Sequence, residues 1–355
     1  MAGISRRSFA MGGAAATFST VMPDMASAAG PAAVMAPDLS FVAPELRDPA
    51  RGVLAMMASR PPMSLSTLEA SRKVMGSFAG PPLAAPAFEQ RLVKRPAGTP
   101  DVVVYVINAK ASGARPAILH THGGGFVVGS ARSSIADLQT LAAELDCLIV
   151  TVEYRLAPET TFAGSMEDNY AALRWLFDHA AELGASPQRI AVMGESAGGG
   201  HAALLALTAR DRGEIPLIFQ MLIYPMLDDR TGTTRRPPAP IGTLLWTPEL
   251  NRFGWRSFLG QEPATSAVPA QAVPARYASL AGLPPTFIGV GSIDLFVDED
   301  IDYARRLIDA GVPTQVLVVP GAFHGFDGIA PRSSVATGFM AGKLAALRRA
   351  FAAGA

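Results

Sequence analysis

The sequence of 355 residues has a single cysteine and no surplus of charge of either sign. Cys147 has no partner, so an internal disulfide is excluded, and its place in the apolar run CLIVTVEY indicates a core residue. Lysine and arginine together number 30, as do aspartate and glutamate, so nothing in the charge balance points to a nucleic-acid partner. Hydrophobic residues make up 49% and charged residues 17%, which is typical of a globular protein and argues against disorder.

The N-terminus has the features of an export signal. SRRSFAM, residues 5–11, contains the arginine pair of the twin-arginine pathway. The weakly apolar stretch 12–22 is too short to span a bilayer, which needs about 20 apolar residues. Residues 26–28, Ala-Ser-Ala, have the small-x-small form of a signal-peptidase site. We predict a twin-arginine-type signal peptide over 1–28, a periplasmic or secreted bacterial protein, and no stable membrane span; the alternative is an accidental arginine pair.

Strand-like and helix-like segments alternate through residues 87–355, whereas residues 29–86 have helical stretches and no strand-like alternation. Such alternation predicts a mostly parallel sheet with helices on both faces, so the expected fold class is α/β. A longer insertion without strands lies between Asp228 and Leu283. The strand-like segments are AFEQRLVKR, DVVVYVIN, PAILHTH, CLIVTVEY, RIAVMG, LIFQMLIY, TFIGVG and TQVLVV.

One serine stands where a strand meets a helix. In RIAVMGESAGGGHAALL the apolar run ends in GESAG, residues 194–198, which has the G-x-S-x-G form. A sharp strand-to-helix bend crowds the positions two before and two after the serine, so glycine is needed there. The bend also sets Ser196 at a helix N-terminus, which favours developing negative charge. We predict that Ser196 is a nucleophile supported by Gly194 and Gly198; the alternative is a connection that only packs the helix on the sheet.

A second glycine cluster follows another strand, in HTHGGGFVVGS, residues 120–130. Two of its backbone amides, together with the amide of Ala197, can form an oxyanion hole. A metal site at His120 and His122 is the competing interpretation, but no acidic or histidine partner follows at a recognised spacing. Neither glycine cluster has the G-x-G-x-x-G or Gly-Lys-Ser/Thr pattern of a phosphate site. We therefore predict no metal and no cofactor.

A serine hydroxyl needs a base, and His324 is the best candidate of the five histidines. It lies in a loop after the last strand, although it could also be a structural histidine. Asp294 directly follows the strand TFIGVG and is the predicted acid, with Asp298 as the second choice. Residues 298–300 are expected to form the acidic first turn of a helix. The apolar face of that helix is predicted to contain Ile301, Ala304, Leu307 and Ile308.

From Arg95 to the C-terminus, the sequence resembles the bacterial hormone-sensitive-lipase family of carboxylesterases. The resemblance rests on motifs that occur in order along the chain: HGGGF, YRLAPE, GESAGGG, YPMLDDRT, D-x-x-x-D-E and FHGF. It implies an α/β-hydrolase fold over residues 87–355 with a helical cap. The cap would consist of residues 29–86 and an insertion at about 230–262.

The same resemblance implies roles for individual residues. Ser196 would be the nucleophile, Asp294 the acid and His324 the base. The oxyanion amides would belong to Gly124, Gly125 and Ala197, supported by Gly123 and by His122, which would brace the glycine loop. Glu195 stands where the family usually has aspartate or threonine, and we expect it to interact with neighbouring backbone.

The expected activity is hydrolysis of short to medium acyl or aryl carboxylic esters through an acyl-enzyme on Ser196, with a small-molecule ester as substrate. Apolar cap residues such as Leu244, Leu245 and Trp246 suggest an apolar pocket, or else they pack the cap on the core. Two alternatives stay open, namely an amide, lactone or carbamate hydrolase on the same triad and a non-catalytic small-ligand binding protein. The sequence leaves the natural substrate and the oligomeric state open, with a homodimer as one option.

Overall fold

Eight strands form one sheet in the computed structural model, which describes residues 38–76 and 80–353. The predicted signal peptide, residues 1–28, lies outside the described residues. The strand order is β1-β2-β4-β3-β5-β6-β7-β8; β2 is antiparallel to both neighbours and every other adjacent pair is parallel. The strands are β1 (Phe88–Val93), β2 (Val102–Ile107), β3 (Arg115–Thr121), β4 (Leu148–Glu153), β5 (Ala185–Glu195), β6 (Phe219–Ile223), β7 (Thr286–Gly291) and β8 (Thr314–Val319).

Helices connect most of the strands, and several match the predicted ones. A helix between β3 and β4, named α3 below, was not predicted from the sequence. None of the helices in the described ranges combines the length and apolar character needed to cross a bilayer. The helices are α1 (Arg47–Ser59), α2 (Leu68–Gly76), α3 (Ile135–Leu145), α4 (Phe162–His179), α5 (Ala197–Arg212), α6 (Pro248–Leu259), α7 (Val297–Asp309), α8 (Phe326–Ile329) and α9 (Ser334–Ala353), with short 3-10 turns at Pro44–Leu46, Ala131–Ser134, Ala270–Ala272 and Pro274–Arg276.

The central strands are buried on both faces. Ile118 and Leu119 are neighbours in β3, yet they belong to two different apolar clusters, because successive side chains of a strand point to opposite faces. One cluster includes residues of α4, α5 and α7, and the other includes residues of α1, α3 and α9. The predicted fold class, an α/β protein with a mostly parallel sheet covered on both faces, is confirmed.

The buried face of α7 matches the predicted one only in part, since Ala304 and Leu307 are buried as predicted. Ile301 and Ile308 are 46% and 56% exposed, whereas Glu299 is buried. The Glu299 carboxylate accepts hydrogen bonds from the backbone amides of Leu227 and Asp228 at 2.6 and 3.2 Å. Burial raises the pKa of Glu299 well above its ordinary value, and the nearby charge of Asp228 adds to this effect. The helix is therefore rotated so that an acidic residue, rather than two isoleucines, supports the loop after β6.

Two helical regions outside the sheet approach the loops at its carboxyl edge. Before β1, the amide of Ala43 donates to the carbonyl of Gly321 at 3.0 Å. Between β6 and β7, α6 brings the ring of Phe258 onto Phe126, with a centroid distance of 4.0 Å. The boundaries of the predicted cap, residues 29–86 and 230–262, stay predictions, but α1, α2 and α6 fall within them.

Candidate active site

Ser196 is the single residue between β5 and α5, and its backbone has φ 57° and ψ −123°. Side chains other than glycine rarely adopt a positive φ, so this bend is strained. A Cβ atom at Gly194 would lie 2.3 Å from the carbonyl oxygen of Gly198, and one at Gly198 would lie 2.0 Å from that of Thr121. The bend therefore depends on glycine at both positions, and it presents the serine hydroxyl at the carboxyl edge of the sheet.

The structure brings Ser196, His324 and Asp294 together in one hydrogen-bonded chain. His324 Nε2 lies 2.9 Å from Ser196 Oγ, and His324 Nδ1 lies 2.8 Å from Asp294 Oδ2. The other carboxylate oxygen of Asp294 accepts the backbone amide of Phe296 at 3.0 Å. All three side chains are buried, whereas Asp298, the second candidate for the acid, is exposed at the start of α7. The geometry is that of a nucleophile, a base and an orienting acid.

The glycine loop after β3 lies directly against the serine bend. A Cβ atom at Gly123 would stand 3.0 Å from the carbonyl oxygen of Glu195 and 3.5 Å from Ser196 Cβ. Gly124 and Gly125 have positive φ values of 127° and 58°, and the carbonyl of Gly124 accepts the amide of Val128 at 3.0 Å. This turn brings the amides of Gly124 and Gly125 to the same edge of the sheet as the first amide of α5, that of Ala197. Such amides can bind an oxyanion.

The similarity of the chain to known proteins identifies its family. Residues 118–328 match a family described as having an alpha/beta hydrolase fold. The chain is 37% identical over 228 residues to the esterase LipI of Mycobacterium tuberculosis. That alignment covers 62% of this chain and 70% of LipI. The chain belongs to the hormone-sensitive-lipase family of carboxylesterases. It is an α/β-hydrolase whose activity is serine ester hydrolysis.

Other relatives of this carboxylesterase agree with that assignment. It is 36% identical over 217 residues to the ethyl acetate hydrolase of Pseudomonas putida, and that alignment covers 59% of this chain and 65% of that enzyme. Among solved structures, one titled as a bacterial heroin esterase superposes with a TM-score of 0.75 at 36% sequence identity. That superposition covers 88% of this chain and 99% of the other.

Two buried histidines lie behind the glycine loop of the carboxylesterase. His122 Nδ1 lies 2.8 Å from the carbonyl oxygen of Gly123, and its ring stacks on Tyr154 at 4.2 Å. The Tyr154 hydroxyl donates to the His122 carbonyl at 2.6 Å. His201 lies in α5, with its ring edge-on to Tyr154 at 4.5 Å. Burial lowers the pKa of His122 to about 4 and that of His201 to about 3, so both rings are neutral at neutral pH.

The partner of Glu195 differs from the predicted one. Its carboxylate oxygen lies 2.8 Å from His120 Nε2, and His120 Nδ1 lies 2.8 Å from Thr151 Oγ1. The expectation that Glu195 would interact with neighbouring backbone was therefore wrong. His120 belongs to β3 and its ring reaches β5, a contact between strands that sequence spacing does not indicate. The pair ties the residue before the candidate nucleophile to the strand that carries the glycine loop.

Aromatic rings surround His324, and of these only Trp246 was among the predicted pocket residues. Tyr224 and Phe296 meet the imidazole at centroid distances of 4.8 and 5.2 Å, and Trp246 lies 6.2 Å away. The Tyr224 hydroxyl donates to Asp327 Oδ1 at 2.9 Å. Tyr224 directly follows β6, so its position at a strand end was a usable signal. Within the described ranges, no three His, Cys, Asp or Glu side chains are grouped to hold a metal.

Proposed function

We propose that this carboxylesterase cleaves short to medium acyl or aryl esters through an acyl-enzyme on Ser196. The observation that carries the proposal is the hydrogen-bonded chain from Ser196 Oγ through His324 to Asp294, with distances of 2.9 and 2.8 Å. The glycine loop packed on the same bend supplies a place for the carbonyl oxygen of the ester.

In this proposal each residue of the site acts in a stated step. Ser196 Oγ attacks the ester carbonyl while His324 Nε2 accepts its proton. Asp294 accepts a hydrogen bond from Nδ1–H of His324, which holds the tautomer and stabilises the imidazolium that forms. The amides of Gly124, Gly125 and Ala197 donate to the oxyanion, and His324 then protonates the leaving alcohol. A water molecule, deprotonated by the same imidazole, releases the acid from Ser196.

The test is a set of initial rates on p-nitrophenyl esters from acetyl to palmitoyl, with wild type and Ser196→Ala side by side. We expect rates to be highest on short and medium chains and to vanish in the variant. Ser257→Ala, which removes a buried hydroxyl from α6, is the matched control and should retain turnover. Undiminished hydrolysis by Ser196→Ala would contradict the assignment of the nucleophile.

We propose that the protein is exported by the twin-arginine route to the periplasm or the medium. Support comes from the paired Arg6 and Arg7, the short apolar stretch after them and the Ala-Ser-Ala site at 26–28. Replacing both arginines by lysine should leave esterase activity in the cytoplasmic fraction of a bacterial host that exports the unchanged protein. Equal export of the two proteins would argue against this route.

We propose that the protein forms a homodimer through the free edge of the sheet. Within residues 38–76 and 80–353, strand β8 pairs only with β7, and its Val316 and Val318 side chains are each 37% exposed. An unpaired edge with apolar side chains is a template for pairing with a second strand. Light scattering should give twice the monomer mass, and Val316→Lys should lower it. A monomer at every concentration would refute the dimer.

A further inference from the structure

The indole of Trp246 lies against the glycine loop and close to His324. A Cβ atom at Gly125 would be 2.1 Å from Cη2 and 2.7 Å from Cζ2 of this ring. The centroids of the indole and the imidazole are 6.2 Å apart. Trp246 is 8% exposed, so its ring fills interior space rather than projecting into solvent. It therefore borders the place where an ester carbonyl would sit between Gly125 and Ser196.

The ring is held by a chain of buried hydrogen bonds. Trp246 Nε1–H donates to Asn251 Oδ1 at 3.1 Å, and Asn251 Nδ2 donates to the carbonyl of Thr231 at 2.7 Å. Asn251 is fully buried, so a swing of the indole would leave a buried acceptor without its donor. Leu245, just before it, has a φ of 64°, and a Cβ atom at Gly325 would lie 3.1 Å from its Cδ2. Trp246 is therefore a fixed wall of the site rather than an adaptable one.

We infer that Trp246 sets the upper size limit of the acyl group, so that the preferred substrates are esters of short acids, from acetyl to butyryl. This inference rests on the proposed function, because it takes Ser196 as the nucleophile and Gly125 as part of the oxyanion hole. The carbonyl oxygen of the substrate is held at Gly125, and the acyl chain is bonded to that same carbonyl carbon. The alkoxy oxygen on that carbon must face His324 Nε2, which protonates it, so the acyl chain is the substituent that extends along the indole at Gly125.

The experiment compares the ratio of kcat/KM for p-nitrophenyl octanoate to that for p-nitrophenyl acetate. Each methylene group that a larger pocket can bury is worth about fourfold. We expect Trp246→Leu to raise the ratio more than tenfold, and Trp246→Phe, which shortens the ring facing Gly125, to raise it less. Trp175→Leu is the matched control, because it makes the same substitution on α4, where the ring stacks on His179. Its ratio should equal that of the wild type.

The outcomes separate this inference from the proposed function. Circular dichroism first identifies the variants that fold, and Trp246→Phe keeps an aromatic ring in case Trp246→Leu does not. An unchanged ratio in a folded Trp246 variant would overturn the inference, as would a change seen only in a series of acetates with lengthening alcohols. Ser196→Ala is added to each variant background. Turnover that survives this addition would overturn the proposed nucleophile, whatever the ratios show.

Discussion

Acid should destabilise this carboxylesterase through a buried histidine in α5. His201 is fully buried, with Phe126, Tyr154 and Phe258 edge-on to its ring at 4.5 to 5.3 Å. Its Nε2 atom has no hydrogen-bond partner among the residues that the structure describes. Burial, with a smaller contribution from neighbouring His122, lowers its pKa from 6.5 to about 3. In the unfolded chain the ring is in water and regains its ordinary pKa.

The size of the effect follows from that difference. Between pH 6.5 and about 3 the unfolded state binds a proton at His201 that the folded state does not, so acid favours unfolding. The free energy of unfolding falls by about 1.4 kcal/mol per pH unit, or about 3 kcal/mol over two units. Above the unfolded pKa the ring is neutral in both states, and its contribution no longer changes with pH. For a fold of ordinary stability, about 3 kcal/mol is a large fraction of the total.

His201→Leu removes this titration, so the assay is the difference in unfolding free energy between wild type and variant. Urea titrations followed by tryptophan fluorescence would be run from about pH 7.5 to about pH 4.5. We expect the variant to gain about 3 kcal/mol on the wild type between about pH 6.5 and pH 4.5. Burial raises the pKa values of Glu299 and Asp300, so protonation of these two groups in acid favours the folded state of both proteins. Because wild type and variant share them, their effect cancels in the difference between the two unfolding free energies.

Leu205→Ala is the control for lost packing, because Leu205 is equally buried on the same helix and does not titrate. Its loss of stability should be the same at every pH. A difference between wild type and His201→Leu that shifts by less than about 0.5 kcal/mol over the two units would refute the reasoning, since a neutral buried ring requires the larger slope.

Three further predictions concern the triad, the bend and the cysteine. Asp294→Asn should lower kcat by about 10⁴, because the amide favours the wrong tautomer of His324; a fall of less than tenfold in steady-state kinetics would contradict this. Gly198→Ala should lower the unfolding free energy by about 2 kcal/mol or more, because its Cβ atom would lie 2.0 Å from the carbonyl oxygen of Thr121. Urea titrations measure this loss, and a loss below about 0.5 kcal/mol would show that the bend tolerates a side chain. Burial raises the pKa of Cys147 to about 12, so a thiol reagent should modify the unfolded protein and spare the folded one at neutral pH, and rapid labelling of the native enzyme would disprove its burial.

The candidate site could be predicted from the sequence because strand ends can be recognised locally. Apolar runs mark where each strand stops, and parallel strands bring their carboxyl ends to one edge. Ser196, Asp294 and His324 each follow such a run, and they lie within hydrogen-bonding distance although 128 positions separate the first from the last. The glycines two positions before and after Ser196 also predicted the sharp bend, because that steric requirement involves only residues adjacent in the sequence.

The structural features that the sequence did not predict depend on contacts between distant segments. Periodicity made Ile301 and Ile308 look like core residues, but α7 is rotated because the Glu299 carboxylate accepts amides from the loop after β6. The Glu195 carboxylate contacts the imidazole of His120 in another strand rather than neighbouring backbone. Trp246 was one of several apolar cap residues, and only the structure shows that its ring lies against Gly125. Spacing along one chain does not carry such information.

Close backbone approaches bring the strand ends of the candidate site together. A Cβ atom at Gly198 would collide with the carbonyl of Thr121, and one at Gly291 would stand 2.1 Å from that of Ala322. These approaches join the strand ends that carry the glycine loop, Ser196, Asp294 and His324, and the Thr121 hydroxyl reinforces the first of them by donating to the carbonyl of Gly198 at 2.7 Å. Substituting a wall residue such as Trp246 should therefore change which ester fits without moving the triad. We therefore expect acyl preference and catalytic geometry to be separable in this fold, because Trp246 and the triad lie on different parts of the chain.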